Sequence, residues 1–227
     1  IMDGFPSGQR EQTVNLPSPT SVVRIHPHPP KAANDMLAVF LSEEVFMTHT
    51  PADVVIRLLL PSDAELLSNS FSQQGWHKPV EQFRAYYRQQ VEHQRQVFVA
   101  VIDDNPIGYI CLLPRAPAGP FHSLDVPCLS DFNVLMDYQR QGIGSMLMDA
   151  AEQAALQTGA RSICLGVGLH PGYGAAQRMY VKRGYVPDGS GVWYRDERLP
   201  ISAPCLNDDD LVLYMEKMFP ANCNDLK

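Results

Sequence analysis

Six residues, Gln139-Arg140-Gln141-Gly142-Ile143-Gly144, join an apolar run, Phe132 to Met136, to an amphipathic run, Ser145 to Leu156. An apolar stretch that passes through two glycines into a helical pattern commits the chain to a strand-to-helix unit with the turn at the helix start. Helix starts expose unpaired N–H groups and the positive end of the helix dipole, so a phosphate is a natural guest there. Gly142 and Gly144 carry no side chain that would hold a pyrophosphate away from those donors. Downstream, Ile143, Met146, Leu147, Ala150 and Ala154 recur at three- and four-residue spacing, the apolar stripe of a helix that Gly159 can end. A glycine pair also serves a plain connection with no ligand. No Gly follows Gly144 at the dinucleotide-fold spacing and no Gly-Lys-Ser/Thr occurs, so neither familiar phosphate loop is present.

The stretch resembles the motif of the GNAT superfamily of acetyl-CoA-dependent N-acetyltransferases, Gln/Arg-x-x-Gly-x-Gly/Ala, with Gln139, Gly142 and Gly144 in register. Similarity continues through Ile163-Cys164-Leu165-Gly166-Val167-Gly168. It extends to the run from Ala176 to Tyr185, which is similar to the family's later helix and its closing Tyr-x-x-x-Gly-Phe/Tyr signature. The resemblance implies an α/β fold of the α+β type: a mixed, mostly antiparallel sheet, splayed between two parallel central strands and flanked by helices. It implies acetyl-CoA as co-substrate, no metal, and a cradle of Gln139, Arg140, Gln141, Gly142, Ile143, Gly144 and Ser145. Backbone near Asn133 and Val134, in a bulged strand, would bond the pantetheine and the thioester oxygen. Gly166 and Gly168 in the neighbouring strand either permit close approach at the splay or relieve packing.

Acetyl transfer to an amine calls for a neutral nitrogen and a proton for the leaving thiolate. By resemblance Tyr180 is the acid, standing where the family places a tyrosine hydroxyl beside the coenzyme sulfur. Its helical face, shared with Ala176 and Met179, equally suits a core aromatic. Asp131 is the expected base, with Asp125 and Asp137 as competitors. Family members often carry an Asn seven residues before the tyrosine, where it holds the coenzyme. Here that residue is Tyr173, so the contact is altered, although a tyrosine can bond a carbonyl or pack on the pantetheine arm.

The chain has 227 residues, a length that suits one domain plus an extension. Residues 1–53 read as a Pro-rich extension with a short helix from Ala32 to Val45, and residues 54–227 as the acetyltransferase domain. A net charge of −7 argues against a general nucleic-acid surface and suits a cationic acceptor. No apolar run approaches the roughly 20 residues that span a bilayer, and the first residues lack the pattern of a secretory signal. Five cysteines without Cys-x-x-Cys spacing fit free thiols, and the expected compartment is the cytoplasm. Cys164 lies in an apolar strand without a neighbouring cation, which makes it a poor nucleophile.

Strands are expected over Val54–Leu60, Val97–Ile102, Ile107–Leu113, Leu129–Met136, Ser162–Leu169, Gly191–Arg195 and Leu211–Met218. Asp103 to Pro106 supplies the turn of a hairpin. A Ser62-x-x-Glu65 capping box opens a helix reaching about Gln74. Pro79 begins a second helix with a buried stripe of Val80, Phe83, Tyr87 and Val91. A right-handed crossover makes the strands on either side of the cradle's helix parallel.

The expected activity is direct acetyl transfer from acetyl-CoA to a primary amine, a small cationic acceptor being favoured. A protein N-terminus or lysine is an alternative acceptor, and a non-catalytic acyl-CoA-binding module an alternative class. Loops 75–79 and 114–127, with Trp76, His77, Phe121, His122, Trp193 and Tyr194, are the expected acceptor walls. His170, Lys182, Arg183 and Asp208 to Asp210 read as ordinary loop and helix-end residues. The partners expected are acetyl-CoA and the amine, with no nucleic acid or membrane; a homodimer is among the assemblies this reading allows.

Overall fold

The computed structural model describes residues 53–220. The Pro-rich extension before residue 53, with its expected helix, and Cys223 lie outside the described residues. Eight strands form one sheet: β1 (Val55–Leu58), β2 (Gln96–Ile102), β3 (Asn105–Leu113), β4 (Cys128–Val134), β5 (Ser162–Gly168), β6 (Val186–Tyr194), β7 (Glu197–Arg198) and β8 (Leu211–Met218). Their order across the sheet is β1-β2-β3-β4-β5-β8-β6-β7. Among the described strands only β4 and β5 are parallel; the other neighbours are antiparallel. Helices α1 (Asp63–Gln73), α2 (Val80–Val91), α3 (Ile143–Gln157) and α4 (Gly174–Lys182) flank it.

Period-two alternation distributes the strand side chains between two faces. In β2, Ala100 and Ile102 join α3 on one face, where Leu147, Ala151, Ala155, Ala176 and Tyr180 meet Leu129, Phe132, Ile163 and Leu165. Val97, Val99 and Val101 face the other way, against Leu67 and Phe71 of α1 and Phe83 and Tyr86 of α2. Further along that second face, among the described residues, the cover is the 114–127 loop rather than a helix: it lays Ala116 and Phe121 over Cys128, Cys164, Val212 and Tyr214. The central strands are thus covered on both sides, and β3, β4 and β5 are buried along nearly their whole length, the polar Ser130, Asp131 and Asn133 of β4 included.

β4 and β5 pair only through Cys128 with Cys164 and Leu129 with Leu165, and separate beyond. On the opposite edge of β4, Tyr109 pairs with Asn133 but Cys111 pairs with Ser130, so β4 holds one residue more than β3 between these pairs. That is a β-bulge at Asp131–Phe132, with Asp131 in the left-handed region at φ 40°. The expected bulge near Asn133 and Val134 therefore falls slightly earlier.

Other expectations shift for local reasons. The Ser62 capping box does not form, because Ser62 is already helical and its side chain caps nothing. Asp63 instead accepts from the Leu60 N–H at 2.8 Å and from both terminal nitrogens of Arg57 at 2.6 and 2.9 Å, tying β1 to α1. Pro79 is the extended cap of α2 rather than its first residue, and Tyr86, not the exposed Val91, completes the buried stripe. In α3 the fully buried alanines are Ala151 and Ala155 rather than Ala150 and Ala154. β4 ends at Val134, and β7 adds a two-residue strand to the hairpin with β6.

Candidate active site

The cradle forms where β4 runs out. A single 3₁₀ turn, Met136–Tyr138, leads to the glycines, and α3 starts after Gly142 at φ 89°, a conformation only glycine adopts without strain. Gly144 serves packing instead: a Cβ there would lie 3.2 Å from the Phe132 ring. No side chain caps α3, which leaves its leading N–H groups directed at the cleft. Gln139 donates to the Val134 carbonyl at 2.9 Å, and Gln141 to the Asp137 carbonyl at 2.7 Å. Both glutamines therefore brace the cradle's backbone.

A cavity of about 730 Å³ opens in front of it. Phe132, Val134 and Met136 line it from the β4 side, and Gln139, Arg140, Gly142, Gly144 and Ser145 from the cradle. The far wall runs from Pro171 and Gly172 into α4, with Gly174, Ala175, Arg178, Met179, Lys182 and Arg183. Four cations and no carboxylate thus border the space, a charge pattern suited to a multiply phosphorylated ligand. Arg183 is already engaged, donating to Glu152 at 2.9 Å and to Asp149 at 2.5 Å. Sequence reasoning explained Lys182 and Arg183 by the helix dipole and had no local signal for Arg178, which lies in the middle of α4.

Of the expected site residues, Val134, Gln139, Arg140, Gly142, Gly144 and Ser145 border the cavity, whereas Asp131, Asn133, Gln141, Ile143, Tyr173 and Tyr180 lie outside its lining. Tyr180 sits in the adjoining core, fully buried, its ring edge-on to Tyr185 at 5.7 Å. Its hydroxyl has no hydrogen-bond partner, an arrangement that costs about 1–3 kcal/mol until an acceptor arrives. Burial, with Tyr173 adding to it, raises this phenol well above the usual tyrosine range, so it stays protonated.

Tyr173 fills the space above Gly168, where a Cβ would come within 2.3 Å of its ring, and donates to Asp209 at 2.8 Å. His170 reaches the same carboxylate at 3.0 Å and accepts from the Gly172 N–H at 3.0 Å, which shapes the turn into α4. Gly166 likewise makes room for a tyrosine, with a Cβ there 3.3 Å from the Tyr214 ring. Both glycines of β5 are thus explained by packing.

Asp131 is 4% exposed and accepts five hydrogen bonds. Lys78 at 2.6 Å and Asn133 at 2.9 Å donate to Oδ1. Gln82 at 2.7 Å and the hydroxyls of Tyr86 and Tyr109, each at 2.8 Å, donate to Oδ2. Burial alone would raise this carboxyl, but the Lys78 charge and the donors from Lys78, Tyr109 and Tyr86 outweigh it and hold the group below the usual aspartate range. A carboxylate offers about four lone-pair sites, and here they are filled. Lys78 also lies 5.6 Å from the Tyr109 ring centroid, which further fixes the ammonium.

The family model described as the acetyltransferase (GNAT) family matches residues 64–185. No curated protein matches the chain. Among solved structures, an acetyltransferase of the GNAT family from Streptococcus pneumoniae superposes with a TM-score of 0.54 at 19% identity, covering 74% of this chain and 99% of that one. The ribosomal-protein-S18-alanine N-acetyltransferase from Escherichia coli gives 0.55 at 16% identity, covering 77% and 99%. The ribosomal-protein-alanine N-acetyltransferase from Brucella melitensis gives 0.55 at 17%, covering 73% and 99%. At these identities the likeness concerns the fold. With the family match spanning more than half of its length, the chain belongs to the GNAT acetyltransferase family and is an acyltransferase.

Proposed function

We propose that this enzyme transfers the acetyl group of acetyl-CoA directly to the primary amine of a small cationic acceptor. The observation that carries the reading is the opposed polarity of the two sides of the β4–β5 split. On the cradle side every charged residue bordering the cavity is a cation, which suits the coenzyme's phosphates. On the other face, level with Gly166 at the opening of the split, stands Tyr214. Burial, then Asp196, with Cys128, Cys164 and Asp188 following, raises its phenol. Trp193 lies edge-on to the Tyr214 ring at 5.6 Å and Phe121 at 6.4 Å. Carboxylates beside aromatic rings favour a cation. Both expected acceptor loops are packed down: Gly119 rests on the Tyr214 ring, and Lys78 is fastened to Asp131. Such closure suits a small molecule better than a protein chain.

In the reaction the neutral amine attacks the thioester carbonyl, the C–N bond forms, and the C–S bond breaks. Strand backbone released by the split at Asn133 and Val134 supplies donors for the carbonyl oxygen. The departing thiolate takes the proton of Tyr180, and the phenol is restored by the proton lost from nitrogen. The deciding experiment measures thiol release from acetyl-CoA against polyamines, aminoglycosides, amino acids and short peptides. Release with polyamines or aminoglycosides supports the reading. Release with peptides alone assigns a protein acceptor, and acetyl-CoA binding without release from any amine would leave a binding module.

A further inference from the structure

Asp131 occupies the residue of β4 at which the strand departs from regular pairing on both edges. It is the left-handed residue of the bulge facing β3, and pairing with β5 stops two residues earlier, at Leu129. Aspartate is among the few non-glycine residues that enter that region, at a modest cost, and within a buried strand its surroundings hold it there. The holding groups come from four parts of the chain: Lys78 from the α1–α2 loop, Gln82 and Tyr86 from α2, Tyr109 from β3 and Asn133 from β4. Arg95 adds a second cation, 4.2 Å from the Tyr86 ring centroid, and Cys111 of β3, pushed up to about 12 by burial, is the remaining titratable neighbour. Lys78 and Asp131 are 14% and 6% exposed in their side chains, so each charge depends on the other for compensation.

We propose that Asp131 is a positioning residue rather than the proton acceptor: its buried charge pair with Lys78 locks the β4 bulge, and through it the opening between β4 and β5 where acyl transfer takes place. The proposal rests on the acetyltransferase reading for its kinetic outcome. Two physical points support it. A carboxylate whose lone pairs are taken by five donors has no site for a substrate proton. Its partners also fasten the α1–α2 hairpin to the strand at the split, which fixes one wall of the acceptor side.

The test compares Asp131→Asn, Lys78→Met and the double variant in thiol-release kinetics across pH, with acetyl-CoA binding by calorimetry and thermal denaturation alongside. Each single change leaves one buried charge uncompensated, and kcat falls tenfold or more with a lower Tm, on the order expected for a broken buried pair. The double variant, neutral at both positions, regains Tm and returns kcat to within about threefold of the parent, on the footing that a neutral replacement of a buried pair is tolerated. The acid limb of its pH profile stays where it was. A folded double variant as inactive as Asp131→Asn, or one whose acid limb has disappeared, would overturn the proposal and restore Asp131 as the base.

Tyr86→Phe combined with Tyr109→Phe gives a second arm that keeps both charges. Loosening of the bulge lowers kcat about tenfold, as for other small misplacements of a reacting geometry. A proton acceptor relieved of two donors would instead keep its rate and move its acid limb to higher pH. Should the parent release no thiol with any amine, the acetyltransferase reading fails on its own. Weaker acetyl-CoA binding in the single variants with recovery in the double still supports the lock, and unchanged binding in the singles refutes it.

Discussion

Tyr180 and Asp131 are both buried, yet their surroundings are opposite in hydrogen bonding. The Tyr180 hydroxyl has no partner, whereas Asp131 is saturated. Tyr180→Phe therefore removes an unsatisfied polar atom from the core, and Tm is expected to hold or to rise slightly, by up to about 1 kcal/mol of stability. If the phenol protonates the thiolate, kcat falls by about 10²-fold while KM for acetyl-CoA changes little; an unchanged kcat removes it from the mechanism. Asp131 governs acid stability. Its folded pKa lies below the unfolded value, so below about pH 4 the unfolded state binds more protons. Its contribution is complete above the unfolded pKa and is lost as pH falls through the folded one. Glu152 behaves alike: burial would raise it, but Arg183 and Lys217 lower it. Urea midpoints for Asp131→Asn should consequently fall less steeply below about pH 4 than those of the parent, with a residual slope from Glu152.

At the scale of elements, the turn into α4 tests how far a glycine can be explained by its neighbours. A Cβ on Gly168 would approach three atoms of the Tyr173 ring, at 2.3, 2.4 and 2.9 Å. The ring cannot swing aside without giving up its bond to Asp209 and its buried position. Gly168→Ala should cost about 1–3 kcal/mol as an overpacked core does, seen as a Tm loss of roughly 3–10 °C; an unchanged Tm would show that the turn is loose. Most of these elements were readable in the sequence, because apolar spacing and glycine placement act locally. Strands β2 to β5 and α3 followed from period and turn chemistry, whereas reading the turn from Gln139 to Gly144 as a coenzyme cradle needed the family resemblance. The Asp131 network was not readable: Lys78 and Gln82 lie 53 and 49 residues from Asp131, and no local pattern reports a contact made by folding α2 back over the sheet. The partner of Tyr173 was unreadable for the same reason, since Asp209, which accepts from its hydroxyl, lies 36 residues later.

Across the whole molecule, charge is distributed against its average. The chain carries a net −7, yet the cavity beside the cradle is bordered by Arg140, Arg178, Lys182 and Arg183 with no carboxylate in its lining. Arg183 is neutralised by Glu152 and Asp149, so the field available to a ligand comes chiefly from Arg140 at the cradle and from Arg178 and Lys182, one turn apart on α4. A polyanion approaching an acidic protein meets net repulsion at a distance, while the cations of this cleft attract it locally. Exposed charges of this kind are screened over about 10 Å at 0.1 M salt, so KM for acetyl-CoA should climb as ionic strength rises while kcat changes less. Arg178→Ala with Lys182→Ala should raise KM at low salt about tenfold, in line with one to two phosphate contacts at roughly 1 kcal/mol each, and should flatten the salt dependence. If the double variant keeps the parent's slope, the cations of α4 do not face the coenzyme's phosphates, and the guidance of acetyl-CoA into the cleft must come from Arg140 and the α3 dipole alone.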